Sequence, residues 1–441
     1  MNAMKKNKET IKSIILVLLV ISSIFLTYII TTYQPDYEIF TKKTSQKVND
    51  NEEKVVDDLL HFLTPNIIVK VNAGAREEPA VQNSITKIAT VDGIKDKKTQ
   101  KEIIKEISKS ESVETRVRNK NIEEVIHNGG EKIILEYSAP LDSALVKPIF
   151  FAEESSNISL EFDTIVFLKE KPENIYLYKK GEKNYLQIRV SENIYKRISE
   201  KFSFAKKSYG KYSLNNNFIY LKEDVDKYYI DEFSTENISL NKLGRDIFDP
   251  QGGIKNSSDN EISDGYSILR EQGNRLTYIN PSNEEKNGTT PLASLGYAVN
   301  FLSLGYANNQ NYQLIYSYED LTQFQETYKE GLVFNKEELA NIRVLSNSSG
   351  VYQVISPKKI TKTYLSSKTA GVYDVERGEY VINYLYNYVN LKNVSDVVLG
   401  YEKTFSKTKI NCYYKPTWYV KYNGKYISFK NLKAGVEKGA E

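Results

Sequence analysis

The chain has 441 residues, with 60 basic and 57 acidic side chains and a formal net charge of +3. Such a length supports two or three domains with real hydrophobic cores, and so balanced a charge argues against a dedicated nucleic-acid binder. One cysteine, Cys412, excludes a disulfide framework or a cysteine-rich metal site, and two histidines, His61 and His127, exclude HExxH-type metal chemistry.

In chain order, the first signal is at the N-terminus. Lys5, Lys6, Lys8 and Lys12 precede an uncharged apolar run from Ser13 to Thr31. About 20 apolar residues span a bilayer core. The run ends in Thr-Thr-Tyr-Gln-Pro without a small-residue cleavage site, so it reads as an uncleaved anchor rather than a signal peptide. Lysines on its N-terminal side place residues 1–12 in the cytoplasm and the bulk of the chain outside. Ser23, Thr27 and Thr31 recur every four residues and share one helix face. Small hydroxyl residues on one stripe permit close helix–helix contact; they are also tolerated singly by bonding their own backbone.

The exterior reads as α+β. Val55, Val56, Leu59, Leu60 and Leu63 predict an amphipathic helix over 53–63 stopped by Pro65, and Ile67–Val71 a strand. Helices are predicted over 97–110, with Ile103, Ile104 and Ile107 on one face, and over 121–127. Leu186, Ile188 and Val190 alternate with polar residues as in a half-buried strand, joined to 175–178 by a hairpin across Gly181. Residues 249–264 read as a linker, and 280–290 as a second polar, turn-rich stretch. A helix is expected over 292–304 and another over 376–388, with extended segments at 312–318, 351–355 and 409–414. Asn423-Gly424, between 418–422 and 425–429, predicts a type I′ hairpin, since both turn positions need positive φ.

No nucleophile elbow, phosphate-binding loop or dinucleotide fingerprint occurs in a suitable context. His61 and His127 read as structural. Asp57-Asp58 and Glu123-Glu124 are adjacent on helices, point different ways and read as solvated faces. Tyr384, Tyr386 and Tyr388 read as packing or surface rather than a ligand cage. No catalytic, cofactor-binding or metal-binding residue is assigned.

Several stretches then align with one family. The anchor followed by Thr32-Tyr33-Gln34-Pro35-Asp36-Tyr37-Glu38, the segment Asp246-Ile247-Phe248-Asp249-Pro250, Asp264-Gly265-Tyr266 leading to Leu269-Arg270, and Gly273 to Pro281 resemble the YycH family. So do Val398-Leu399-Gly400-Tyr401 and Lys415 to Tyr422 near the end. The resemblance implies a single-pass membrane protein regulating the WalK/WalR two-component system, which controls cell-wall metabolism. It implies no catalysis and no cofactor, and partners in a WalK-type sensor histidine kinase and a YycI-type protein. It further implies a transmembrane anchor (13–32) and three extracytoplasmic mixed α/β domains at 33–190, 191–290 and 291–434, the last two YycI-like, with a tail at 435–441. Ser23, Thr27 and Thr31 become the candidate transmembrane contact. The competing readings are an anchored cell-wall enzyme, a ligand-binding protein or a passive scaffold.

Overall fold

The computed structural model describes residues 62–72, 84–120, 122–126, 130–143, 160–215, 217–223, 228–248, 253–283, 291–305, 312–347, 349–368 and 375–439. Nine strands build the first sheet: β1 (Ile67–Val71), β2 (Ile85–Ile94), β3 (Ser112–Asn119), β4 (Lys132–Asp142), β5 (Glu161–Leu168), β6 (Lys171–Tyr178), β7 (Asn184–Val190), β8 (Lys207–Leu214) and β9 (Asn217–Lys222). They run in the order β3-β7-β6-β5-β4-β1-β2-β8-β9, each pair antiparallel.

Runs such as Ile133-Ile134-Leu135 and Ile165-Val166-Phe167 are apolar at successive positions because both faces of this sheet are covered. On one face Ile68, Ile133, Leu135, Ile165 and Phe167 pack with helix α1 (Lys97–Ser108) through Ile103, Ile104 and Ile107, the face predicted from sequence. Helix α2 (Ile122–Ile126) closes the other face, where Ile122 and Ile126 meet Ile67, Val69, Ile134 and Val166. Helix α3 (Ile194–Ala205) joins α1, contributing Ile194, Ile198 and Phe202. Asp96 and Asn193 cap α1 and α3, accepting from the amides of Thr99 at 2.8 Å and Lys196 at 2.9 Å.

Glu131 ties this half together. Its carboxylate pairs with Lys70 of β1 at 2.8 Å and accepts from Tyr195 Oη of α3 at 2.5 Å. The Lys70 bond, then the Tyr195 bond, hold its pKa down at about 2, against an ordinary 4.5. A depressed carboxyl contributes stability that is fully present above the unfolded value near 4.5 and lost as pH falls through the folded value. Glu131→Gln is therefore expected to cost on the order of 1–2 kcal/mol at pH 7, after allowance for partial exposure. In urea titrations the gap between variant and wild type should close between pH 4.5 and about 2. A gap independent of pH would show that the charge of Glu131 is not what stabilises.

Fourteen strands form the second sheet: β10 (Ile230–Asn237), β11 (Asn256–Ser257), β12 (Glu261–Ser263), β13 (Ile268–Gln272), β14 (Arg275–Ile279), β15 (Tyr312–Tyr318), β16 (Leu321–Tyr328), β17 (Gly331–Phe334), β18 (Asn341–Asn347), β19 (Gly350–Pro357), β20 (Lys359–Lys368), β21 (Val394–Phe405), β22 (Asn411–Tyr422) and β23 (Lys425–Ser428). The order is β11-β12-β13-β14-β19-β18-β16-β17-β21-β22-β10-β20, with β15 beside β16 and β23 beside β22. Pairing is antiparallel except between β17 and β21. That pair is close: a Cβ on Gly400 would lie 2.5 Å from the carbonyl oxygen of Leu332, so only glycine fits. The hairpin at Asn423-Gly424 is present, with φ of 49° and 76°.

Helix α4 (Leu240–Ile247) packs on α5 (Pro291–Gly305), which lies over β18 and β19. Helices α6 (Gly378–Tyr388) and α7 (Phe429–Gly439) enclose a separate core with Val394, Val397, Trp418 and Val420. Two sequence expectations change. The linker read over 249–264 carries β11 and β12, because Ile262 is buried and packs in the core with Leu243 of α4. Phe429 opens α7 instead of ending a strand, since it turns inward to Tyr380 and Tyr384. The predicted helix over 53–63 falls outside the described residues except at its end.

Among the described residues the sheets touch at several points, two of them built around apolar side chains. Phe62, Leu63 and Thr64 are buried, and Phe62 stands edge-on to Phe324 of β16 with centroids 5.3 Å apart. At the other contact Leu214, Ile219 and Leu221 join the core under α6, and Asn215 Nδ2 donates to the carbonyls of Leu391 and Val394.

Candidate functional site

Several charged side chains are buried inside strands of the second sheet. Lys403 of β21 and Glu326 of β16 face each other with side chains 0% and 4% exposed, Nζ to Oε2 at 2.8 Å. Tyr414 of β22, the register partner of Lys403, donates its hydroxyl to Glu326 and meets Thr361 Oγ1 at 2.5 Å. Burial and the adjacent carboxylate push the Tyr414 hydroxyl far above its ordinary pKa, so it remains a donor. Nearby Asp231 of β10 accepts from Tyr328 Oη and Lys329 Nζ, both at 2.8 Å, and from Ser367 Oγ at 2.5 Å. Burial alone would raise the Asp231 carboxyl, but those hydrogen bonds outweigh it and leave it below its ordinary value. Rings of Phe233, Tyr328, Tyr401 and Tyr414 pack edge-on or tilted around these groups. Cys412 lies in the same core, its thiol raised by burial, which suppresses the reactive thiolate. Every charge here has a partner and every nucleophile is quenched. The cluster locks strands together.

A second group lies where the sheets meet. Lys97, half-buried, donates to the carbonyl of Pro65 at 3.0 Å and to Gln313 Oε1 at 2.8 Å. Burial first, then the ammonium groups of Lys95 and Lys101, bring its pKa down to about 7. A lysine so perturbed is a candidate nucleophile or base. The adjoining cavity is only about 20 Å³, room for a water molecule and no substrate. Lys97 is thus a tie between the sheets.

The third feature is a cleft of about 320 Å³ in the second sheet. Four turns surround it: β13–β14 with Asn274, β17–β18 with Asn335 to Leu339, the β19–β20 junction at Pro357 to Lys359, and β21–β22 with Ser406 to Lys409. Asn274 holds them in place, its Nδ2 donating to Glu337 at 3.0 Å and its Oδ1 accepting from Lys409 Nζ at 3.1 Å. Its carbonyl receives the amide of Lys358 at 2.9 Å. Asn335 Nδ2 donates to the carbonyl of Lys403 at 2.7 Å. Five lysines and two glutamates line the cleft: Lys336, Lys359, Lys403, Lys407 and Lys409 with Glu337 and Glu402.

Ser23, Thr27 and Thr31 lie outside the described residues, as do His61, His127, Asp57 and Asp58. Among the described residues no helix is long and apolar enough to cross a membrane, and no three metal-ligating side chains come together. Tyr384 and Tyr388 stack at 4.9 Å, and Tyr384 also packs on Phe429, whereas Tyr386 faces solvent. No motif in the sequence marks the Glu326–Lys403–Tyr414 cluster or the cleft. Their members are far apart in the chain; the only local sign was a charge at an inward strand position.

Two family models match the chain, described as the YycH protein N-terminal domain over residues 9–206 and the YycH protein C-terminal domain over residues 216–434. No curated relative matches. Among solved structures, the crystal structure of YycH from Bacillus subtilis is similar at 16% identity with a TM-score of 0.61, covering 84% of this chain and 96% of that one. At that identity the likeness speaks for the strand-rich α+β fold alone. The two domain models, in order and nearly end to end, decide the relationship: the chain belongs to the YycH family.

Proposed function

We propose that this protein is a non-catalytic, membrane-anchored regulator of a WalK/WalR-type two-component system, acting through association with the sensor histidine kinase and a YycI-type protein. One observation carries the reading: the family match begins at residue 9 and so includes the apolar run with the folded exterior behind it. In this reading residues 13–32 cross the membrane once, residues 1–12 are cytoplasmic, and the exterior divides at 33–190, 191–290 and 291–434. The lysines before the apolar run support that orientation. Protease added to intact protoplasts should digest the chain beyond residue 33 and spare the N-terminal tail. Protection of the whole exterior would reverse the topology.

Association in the bilayer should depend on the Ser23, Thr27 and Thr31 face, because lipid tails are as apolar as leucine and only close packing or hydrogen bonds favour a protein partner. Each interhelical hydrogen bond is worth about 0.6 kcal/mol on average and up to roughly 1.7. Changing Ser23 and Thr27 together to Leu should therefore weaken co-purification with WalK and YycI several-fold, while Ile24 and Leu26 to Val leaves it unchanged. WalR-dependent reporter activity at matched protein levels is the second readout. Wild-type association and signalling from the Leu variant would remove this face from the mechanism. Absence of both partners from a full-length capture would overturn the regulatory reading.

A further inference from the structure

The four-turn cleft has a charge that the rest of the molecule does not share. The chain as a whole is nearly neutral at +3, yet five lysines meet two glutamates here. Lys403 is neutralised by Glu326, Lys409 is held by Asn274, and Glu337 accepts from the same asparagine. Among the described residues, no carboxylate lies in ion-pair reach of Lys336, Lys359 or Lys407. Unpaired like charges on one concave surface repel each other and favour an anion between them.

We propose that this cleft binds a phosphate group carried on a polyol. Its volume of about 320 Å³ falls at the lower end of small-molecule sites. The cations lining it are lysines, without an arginine. An ammonium binds phosphate as a point charge, and three of them without an ionic partner favour a group that carries up to two negative charges over a single carboxylate. Glu402 stands in the same wall and offers an acceptor to a hydroxyl next to the phosphate. The hydrogen bonds of Asn274 and Asn335 fix the turns before a ligand arrives, so little ordering cost falls on binding. This site is independent of the membrane face and does not rest on the regulatory reading.

The chemistry is shared by soluble polyol phosphates and by the headgroup of phosphatidylglycerol. Full-length protein in a zwitterionic detergent would be titrated calorimetrically with glycerol 3-phosphate and, separately, with dihexanoyl phosphatidylglycerol below its micelle concentration. Saturable binding of the first supports the site with a soluble source; saturation by the second alone supports it with a lipid headgroup. Lys359→Gln with Lys407→Gln should lower the affinity about tenfold or more, and raised salt should weaken binding by wild type. Lys201→Gln with Lys425→Gln, outside the cleft, serves as the charge-matched control. Neither variant should melt below wild type, since among the described residues neither cleft lysine has an ionic partner to lose. No saturable binding of either probe, or equal affinity in the cleft and control variants, overturns the proposal.

Discussion

Replacing Lys403 with Met should cost about 3–5 kcal/mol of stability, because it leaves Glu326 buried without a counter-charge. The pair sits with 0% and 4% of its side chains exposed, and Glu326 also receives the Tyr414 hydroxyl. Removing one ion of a buried pair exposes the desolvation cost of the other, which the attraction had offset. Adding Glu326→Gln to Lys403→Met should recover most of the loss, since the neutral amide carries no stranded charge and still accepts from Tyr414. Urea unfolding of the detergent-solubilised chain would measure both. A loss below about 1 kcal/mol would be that of a solvent-exposed ion pair, contradicting the burial.

Phe324→Ala should be of similar size, about 3–5 kcal/mol, because a fully buried ring is replaced by a cavity. Phe324 belongs to the second sheet, and Phe62, its edge-on partner, enters from the segment before β1. Such a ring pair adds about 0.5–1.5 kcal/mol beyond burial, so a double-mutant cycle with Phe62→Ala should show coupling of that order. Phe204→Ala, a ring 92% exposed on α3, should change little. The single tryptophan, Trp418, reports on the process: it is buried under α6 and its Nε1 donates to the Glu376 carbonyl at 2.7 Å. Coupling near zero would mean the two rings do not cooperate in joining the sheets.

Where the governing interactions are local, the chain could be read directly. The isoleucines of α1 recur at helical spacing, so the buried face was visible before any neighbour was known. Asn423-Gly424 encodes its hairpin because positive φ is a property of those two residues. Helices α5 and α6, and strands β1, β7 and β15, follow the same logic. Family membership was legible too, from short stretches spread along the chain that the two domain matches cover.

Partners far apart in sequence obey no such local rule. Glu326 and Lys403 are 77 residues apart, with strands β17 to β20 and helix α6 between them in the chain, and only the parallel approach of β17 to β21 puts β16 beside the β21–β22 hairpin. The stretch over 249–264 looked like a linker from its glycine, proline and serine content, yet contact of Ile262 with α4 turns part of it into sheet edge. The cleft draws its lysines from separate turns, none with a motif of its own. The apolar N-terminal run, the local helices and hairpins, and the family can be read along the chain, since each depends on residue type at short spacing. Strand order, the buried ion pair and the basic cleft arise only once the chain is folded, because long-range pairing selects which distant charges meet and how deeply they are buried.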